Sequence, residues 1–427
     1  MMQIYPYENV EKSKLFFRGV TESGVRDTVS EILRTVRDGG DAALRDYARR
    51  FDKAELAEIE VPARDLDAAL EAIDPELRRV MEQAAENIRA FHAHQCRTGF
   101  EFTRRDGVIM GQKITPIEKV GLYIPGGTAA YPSTVLMNAI PAKLAGCSQI
   151  VMVSPPTCGG GIAPVILAAA KIAGVDRVFQ TGGAQAIAAL AYGTETVPKV
   201  DKIVGPGNAF VAEAKRQVFG LVNIDMIAGP SEILVVADGA ADPAWVAADL
   251  LSQAEHDKMA TAVLVTDSPA LAEGVQAEVE RQLGRLPRQE IARASIDENG
   301  KIILASDLAV AIEIANELAP EHLELCIADP MQYLPQIRNA GSVFLGRYCP
   351  EALGDYMAGP NHTLPTSGTA RFSSPLSVDD FIKKTQYTYF TQDALAALCG
   401  DVATFARAEG LEAHARSALI RSGEVEK

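Results

Sequence analysis

The chain holds six histidines, and two of them directly follow a glutamate: Glu321–His322 in LAPEHLEL and Glu255–His256 in LLSQAEHDK. A carboxylate beside an imidazole suits proton transfer, because an unperturbed histidine titrates near neutral pH and can accept a proton there. The first pair follows a proline and leads into an apolar, strand-like run. Neighbouring strand side chains point to opposite sides, so Glu321 and His322 are expected to serve different faces or different steps. The plainer reading is an ion pair at a helix end or strand edge. The second pair lies in a helical pattern, in which Gln253 and His256 share a face and can touch one ion. Leu250, Leu251 and Ala254 give that face apolar neighbours, and a solvated helix face is the ordinary alternative. Asp355 in GDYMAGPNH and His414 in GLEAHAR are remote candidates to complete a set. Glutamine is a poor ligand for a structural zinc, which takes Cys and His. Mixed nitrogen and oxygen ligands fit an ion left open to a substrate.

These residues need elements to hold them. From residue 21 to roughly 98 the chain reads helical, and Asp106–Gly107 signals a two-residue hairpin turn. From Lys119 the short runs KVGLYI, QIVMVS, RVFQ and KIV alternate with helical stretches. The cycle resumes with EILVVA, TAVLVT, KIILA, LELCIA and GSVFLG. Such alternation implies an α/β fold with parallel sheets covered by helices on both faces. Two cycles predict two similar, incomplete Rossmann-like domains meeting at a cleft. The expected divisions are an arm at 1–20, a helical region with hairpin at 21–117, a cofactor domain at 118–231, a metal and catalytic domain at 232–377 and a helical tail at 378–427. A turn-rich loop, Tyr348–Ser377, follows the last strand, and loops of that length are usually functional.

Ligands of open parallel sheets sit beyond the carboxyl ends of the strands. That rule selects PGGTAAYPST (Pro125–Thr134), TGGAQA (Thr181–Ala186), GPGNAF (Gly205–Phe210) and AGPSE (Ala228–Glu232). Glycines there permit close backbone approach, and a helix start behind them favours phosphate. A dinucleotide would suit the set. Phe210 stands where the third glycine of GxGxxG belongs, so any NAD is bound by another geometry.

A net charge of −15 and pI of 5.0 argue against a nucleic-acid partner. The start carries no export signal and no stretch is apolar enough to span a membrane, so a cytoplasmic protein is expected. The six cysteines are scattered, which fits reduced, mostly packed thiols, Cys326 among them. His92 and His94 on the long N-terminal helix are expected to pack or be solvated.

With these residues placed, the chain resembles the histidinol dehydrogenase family. The likeness runs through VGLYIPGG, TGGAQAIAALAYGTETVPKVDKIVGPGNAFVAEAKRQV, IDMIAGPSEILVVAD, DLLSQAEH, LAPEHLEL, GDYMAGPNHTLPTSGTARFSSPLSV and EGLEAH. It implies a fold related to aldehyde dehydrogenases and oxidation of L-histidinol to L-histidine with two NAD. It implies zinc held by Gln253, His256, Asp355 and His414, the last from the other subunit of a homodimer. Substrate would contact Ser231, His322, His362 and Glu409 besides the metal ligands, NAD would contact Tyr123, Gln185 and Asn208, and Glu321 and His322 would transfer protons. Rival readings are a relative oxidising another small alcohol, a metal-dependent hydrolase and a non-catalytic zinc protein.

Overall fold

The computed structural model describes residues 1–12, 15, 24–126 and 130–422. Parts of the 1–20 arm, of PGGTAAYPST and of the tail lie outside the described residues. Along the chain, β1 (Gln3–Pro6) and β2 (Glu60–Val61) fall in the N-terminal region. β3 (Phe100–Arg105) and β4 (Val108–Pro116) form the hairpin, with Gly107 at φ +77° in its turn. The first cycle is β5 (Lys119–Tyr123), β6 (Gln149–Ser154), β7 (Arg177–Gln180), β8 (Lys202–Val204) and β9 (Asn223–Ile224). The second is β10 (Glu232–Ala237), β11 (Thr261–Thr266), β12 (Lys301–Leu304), β13 (His322–Cys326) and β14 (Ser342–Leu345). β15 (Ile382–Phe390) follows.

The chain divides into two compact units. The first, Met1–Gln95 with Glu118–Phe381, contains both parallel sheets. Their orders, β7-β6-β5-β8-β9 and β12-β11-β10-β13-β14, are the same: third, second, first, fourth and fifth strand of each cycle. The order reverses between β5 and β8 in one sheet and between β10 and β13 in the other. The N-terminal region is not purely helical, since it completes the same edge of both sheets. β2 pairs antiparallel with β7, and β1 pairs parallel with β12. Strands of two and four residues are too short to leave a periodic signal.

Packing explains why the central strands read as unbroken apolar runs. Ile233, Val235 and Ala237 of β10 face one core with Leu250, Leu264 and Cys326, while Leu234 and Val236 face another with Leu323 and Leu325. A parallel sheet buried on both faces needs apolar side chains at both phases of the pleat. His322 and Glu324 are therefore polar intrusions on the β13 face that also carries Cys326.

The second unit, Cys96–Ile117 with Ile382–Lys427, is built on the antiparallel sheet β15-β4-β3 and the helices Cys399–Ala408 and Glu412–Ser422. The tail does not open as helix: all nine residues of β15 pair with β4. Seven of those nine are exposed, so the apolar alternation that marks a half-buried strand is missing from IKKTQYTYF. No helix among the described residues is long and apolar enough to cross a membrane.

Candidate functional site

At the amino end of the second sheet, His322 of β13 lies opposite Ile233 of β10. Glu321 precedes the strand, two residues after Ala319, whose left-handed conformation (φ 46°) ends the helix Leu308–Leu318. Glu321 and His322 do not separate onto opposite faces; both bond to the backbone of Glu232. Glu321 Oε2 accepts the Glu232 N–H at 2.9 Å, and His322 Nδ1 lies 3.0 Å from the Glu232 carbonyl oxygen. Pleat alternation does not apply because Glu321 is outside the strand and turns back across its end. A carbonyl only accepts, so Nδ1 carries the hydrogen and Nε2 keeps its lone pair. That Nε2 is buried with no hydrogen-bond partner. Burial lowers the His322 pKa to about 4, with Asp355 pulling the other way, so the imidazole is neutral at pH 7. Burial also pushes Glu321 well above the usual carboxylate range, opposed by the Glu232 N–H.

AGPSE does not follow a strand of the second sheet. It leads from β9 of the first sheet into β10, joining the carboxyl end of one to the amino end of the other. Ser231, at its end, is partly exposed and accepts the Thr261 N–H through its carbonyl at 2.9 Å. Gly229 N–H donates to Thr366 Oγ1 at 2.6 Å, tying this connection to the long loop.

The helix Pro243–Ala254 starts on Asp242, which accepts the Ala244 N–H at 2.8 Å, and has Pro243 in its first turn. Near its other end Gln253 is 1% exposed, and neither its Oε1 nor its Nε2 has a hydrogen-bond partner. A buried amide with both atoms unsatisfied calls for a ligand, since each such atom carries a desolvation cost. His256 lies in the turn just beyond, exposed, its N–H on the Gln253 carbonyl at 3.1 Å. Ser252 Oγ lies 3.3 Å from Glu351 Oε2, which links this helix to the long loop.

Within that loop the short helix Glu351–Tyr356 carries two acids. The Glu351 N–H donates to Glu324 Oε1 at 2.6 Å, and Glu351 Oε1, buried without a partner, is 3.7 Å from His322 Nε2. His322, Glu351 and Asp355 bring possible ligand atoms within 4.8 Å of one another. Asp355 is common to this trio and to the expected zinc ligands. Its Oδ1 is 3.3 Å from His362 Nδ1, and His362 Nε2 is 3.5 Å from Thr134 Oγ1 on the helix Pro132–Ala145 behind β5. Burial pushes Asp355 up, but His362, His322 and His256 together hold it below its ordinary value. Burial and Asp355 raise Glu351 to about 8.

The residues expected at NAD lie at the carboxyl end of the first sheet. Tyr123 ends β5, and its buried hydroxyl accepts the Gly183 N–H at 3.1 Å, at the start of the helix Gly183–Tyr192. Gln185 is buried in the first turn of that helix. Asn208 caps the helix Ala209–Val218, its Oδ1 accepting from Phe210 and Val211, which leaves the amide hydrogens to meet a ligand. Gly205 (φ 117°) precedes it, and a Cβ there would sit 2.1 Å from the Tyr123 carbonyl oxygen, so no side chain fits. Asp225 accepts the Gly205 N–H, while Lys215, buried against Asp225, holds the Gly205 carbonyl.

Glu409 and His414 belong to the second unit, both exposed, on either side of a turn closed by the Leu411 N–H on the Ala406 carbonyl. Of the remaining histidines, His92 is buried beside Gln95 and His94 is exposed. Sequence reasoning missed Glu351, Glu324 and Asp249, and reached Thr134 only as the last residue of a selected loop. Asp249 is a carboxyl raised to about 6 by burial and hydrogen-bonded to Glu324. The three missed acids had a spacing signal: Glu351 and Asp355 at i, i+4, His322 and Glu324 at i, i+2, and Asp249, Gln253 and His256 at i, i+4, i+7.

Comparison with known proteins bears on the chain as a whole. Residues 18–422 match the family model described as histidinol dehydrogenase. The chain is 54% identical over 404 residues to a histidinol dehydrogenase of Listeria monocytogenes, covering 95% of this chain and 94% of that one. It is 55% identical over 407 residues to one from Syntrophotalea carbinolica, covering 95% and 94%. A crystal structure of histidinol dehydrogenase from Elizabethkingia anophelis superposes with a TM-score of 0.93 at 40% identity, covering 98% and 97%. An acetylating aldehyde dehydrogenase from Geobacillus thermoglucosidasius reaches 0.50 at 15% identity over 87% and 93%, a likeness of fold.

Proposed function

This chain belongs to the histidinol dehydrogenase family, and on that premise we propose a zinc- and NAD-dependent, four-electron oxidation of L-histidinol through L-histidinaldehyde to L-histidine. The observation that carries the reading is a group of buried polar atoms without partners: both amide atoms of Gln253, His322 Nε2 and Glu351 Oε1. With Asp355 among them, the donor set is mixed nitrogen and oxygen, suited to an ion that also binds substrate.

In this reading Gln253, His256 and Asp355 hold zinc together with His414 from the second subunit of a homodimer. When bound, the ion would be chelated by the imidazole and amine of the substrate, which would anchor a reactive α-amino aldehyde between the two oxidations. Ser231, His362 and Glu409 complete the substrate contacts, and Tyr123, Gln185 and Asn208 those to NAD. His322 Nε2 takes the hydroxyl proton as hydride leaves the carbinol carbon for NAD. Its neutrality and its fixed tautomer both serve that role, because the Glu232 carbonyl occupies the only other ring nitrogen. Glu321, one oxygen held by the Glu232 N–H, takes a proton from the water that adds to the aldehyde. His322 acts again in the second oxidation.

A limiting, known amount of L-histidinol with excess NAD tests this, following NADH to completion with and without a chelator. Two NADH per histidinol, lost on chelation and restored by zinc, is expected. One NADH with aldehyde released would overturn the four-electron reading, and full yield in the chelated protein would overturn the metal.

A further inference from the structure

One carboxyl group at the carboxyl end of the first sheet takes no part in the chemistry above. Asp52 ends the short helical segment Ala48–Asp52, which stops at Lys53 in a left-handed conformation (φ 57°). Its Oδ2 is buried without a hydrogen-bond partner, although the residue as a whole is only partly buried. Tyr47 and Ile59, on either side of it in the chain, pack in the same core cluster as Tyr123 and Phe179. Beyond Asp52 the chain crosses the end of β7, where Gln180 donates through Nε2 to the Glu58 carbonyl and through its N–H to the Ile59 carbonyl, both at 2.9 Å. The charge of Asp52 is felt at Tyr123, whose hydroxyl rests on the Gly183 N–H. Burial raises the Asp52 carboxyl to about 6, so it is mostly ionised at neutral pH and above.

In a dinucleotide crevice with this strand order, an acid at the end of the second strand receives the adenosine ribose hydroxyls. The second strand here is β6, and the residues after it, Pro155-Pro156-Thr157-Cys158-Gly159-Gly160-Gly161, include no acid. We propose that Asp52 supplies the missing carboxylate from the segment that crosses the end of β7, accepting hydrogen bonds from the 2′- and 3′-hydroxyls of the NAD adenosine ribose and excluding the 2′-phosphate of NADP. This rests on the NAD reading given above. Two hydroxyls can donate to one carboxylate, whereas a phosphate at that position meets a like charge with no hydrogen to give.

The test is titration of NADH, NADPH and 2′-deoxyadenosine NADH into zinc-replete wild-type protein and Asp52→Asn, read by nicotinamide fluorescence. Wild type should prefer NADH to both analogues. Asp52→Asn should bind NADH roughly 10- to 100-fold more weakly, the range for a hydrogen bond to a charged group. The variant should also bind the deoxy analogue as well as NADH and narrow the gap to NADPH. Unchanged NADH affinity in Asp52→Asn, or the same loss on removing the hydroxyl in both proteins, would overturn the assignment. If the variant does not fold, wild type decides alone: equal affinity for NADH and its deoxy analogue refutes it. Absence of any dinucleotide binding by wild type sinks the NAD reading itself, and the role of Asp52 with it.

Discussion

Replacing Gln253 by Met separates a residue placed to hold an ion from one that merely packs. Methionine is close in length and flexible enough to fill the same space, but it brings no polar atoms. In the wild-type protein stripped of metal, the Gln253 amide keeps two buried atoms with no partner. Each unsatisfied buried atom costs about 1–3 kcal/mol, and relaxation of the helix end recovers part of that. A net gain of about 2 kcal/mol is therefore expected for metal-free Gln253→Met, which raises Tm by roughly 2 °C in a chain of this length. Excess zinc should reverse the order. A ligand at a hundredfold its Kd stabilises the folded state by about 2.7 kcal/mol, and the variant has lost one of the atoms that would claim it. Scanning calorimetry of chelator-treated and zinc-replete samples of both proteins measures all four values. A metal-free variant less stable than metal-free wild type would mean that the amide already has partners in the folded protein. Equal zinc shifts for the two proteins would remove Gln253 from the ion.

His322→Asn keeps a donor for the Glu232 carbonyl but removes Nε2. Turnover should fall by roughly 10²–10⁴ with little change in Tm, and near-normal steady-state rates would take His322 out of the proton path. Glu351 reports through pH in the metal-free protein. Its folded pKa of about 8 exceeds the ordinary 4.5, so the folded state binds more protons between those values, and its contribution to stability is lost as pH rises through the window. Glu351→Gln should flatten that fall in Tm, and parallel Tm profiles for the two proteins would contradict the assignment. Mixing inactive His414→Asn and His322→Asn proteins should restore part of the activity, because a hybrid dimer holds one intact site. Mixtures that exchange subunits yet stay inactive would place His414 elsewhere.

Both α/β cycles were legible because a strand buried on both faces writes an unbroken apolar run, as in EILVVA and LELCIA. β1, β2 and β15 were not, the first two being too short and the last too exposed to write any pattern. The pair Glu321–His322 stood out through the scarcity of histidine, but its convergence on the Glu232 backbone depends on the turn at Ala319, which no spacing rule encodes. Glu351 and Glu324 were lost among the 56 acidic residues of the chain. Their spacings to Asp355 and His322 are common among so many acids, and what singles them out is burial, a property of the fold. Glu409 entered only through the family resemblance, since an acid beside a glycine at a helix end is ordinary.

The strand pairings also set a timetable for synthesis. β5 to β9 can close their sheet while the ribosome is still making the second cycle, but β1 waits for β12, whose residues emerge about three hundred positions later. The hairpin β3–β4 waits nearly as long for β15, with the β4 edge unpaired meanwhile. Both ends of the chain are thus stitched in last. Nascent chains stalled before residue 301 would carry a finished first sheet while β1, the β4 edge and the outer edges of β10 and β11 stay unpaired, the form most open to chaperone capture or aggregation.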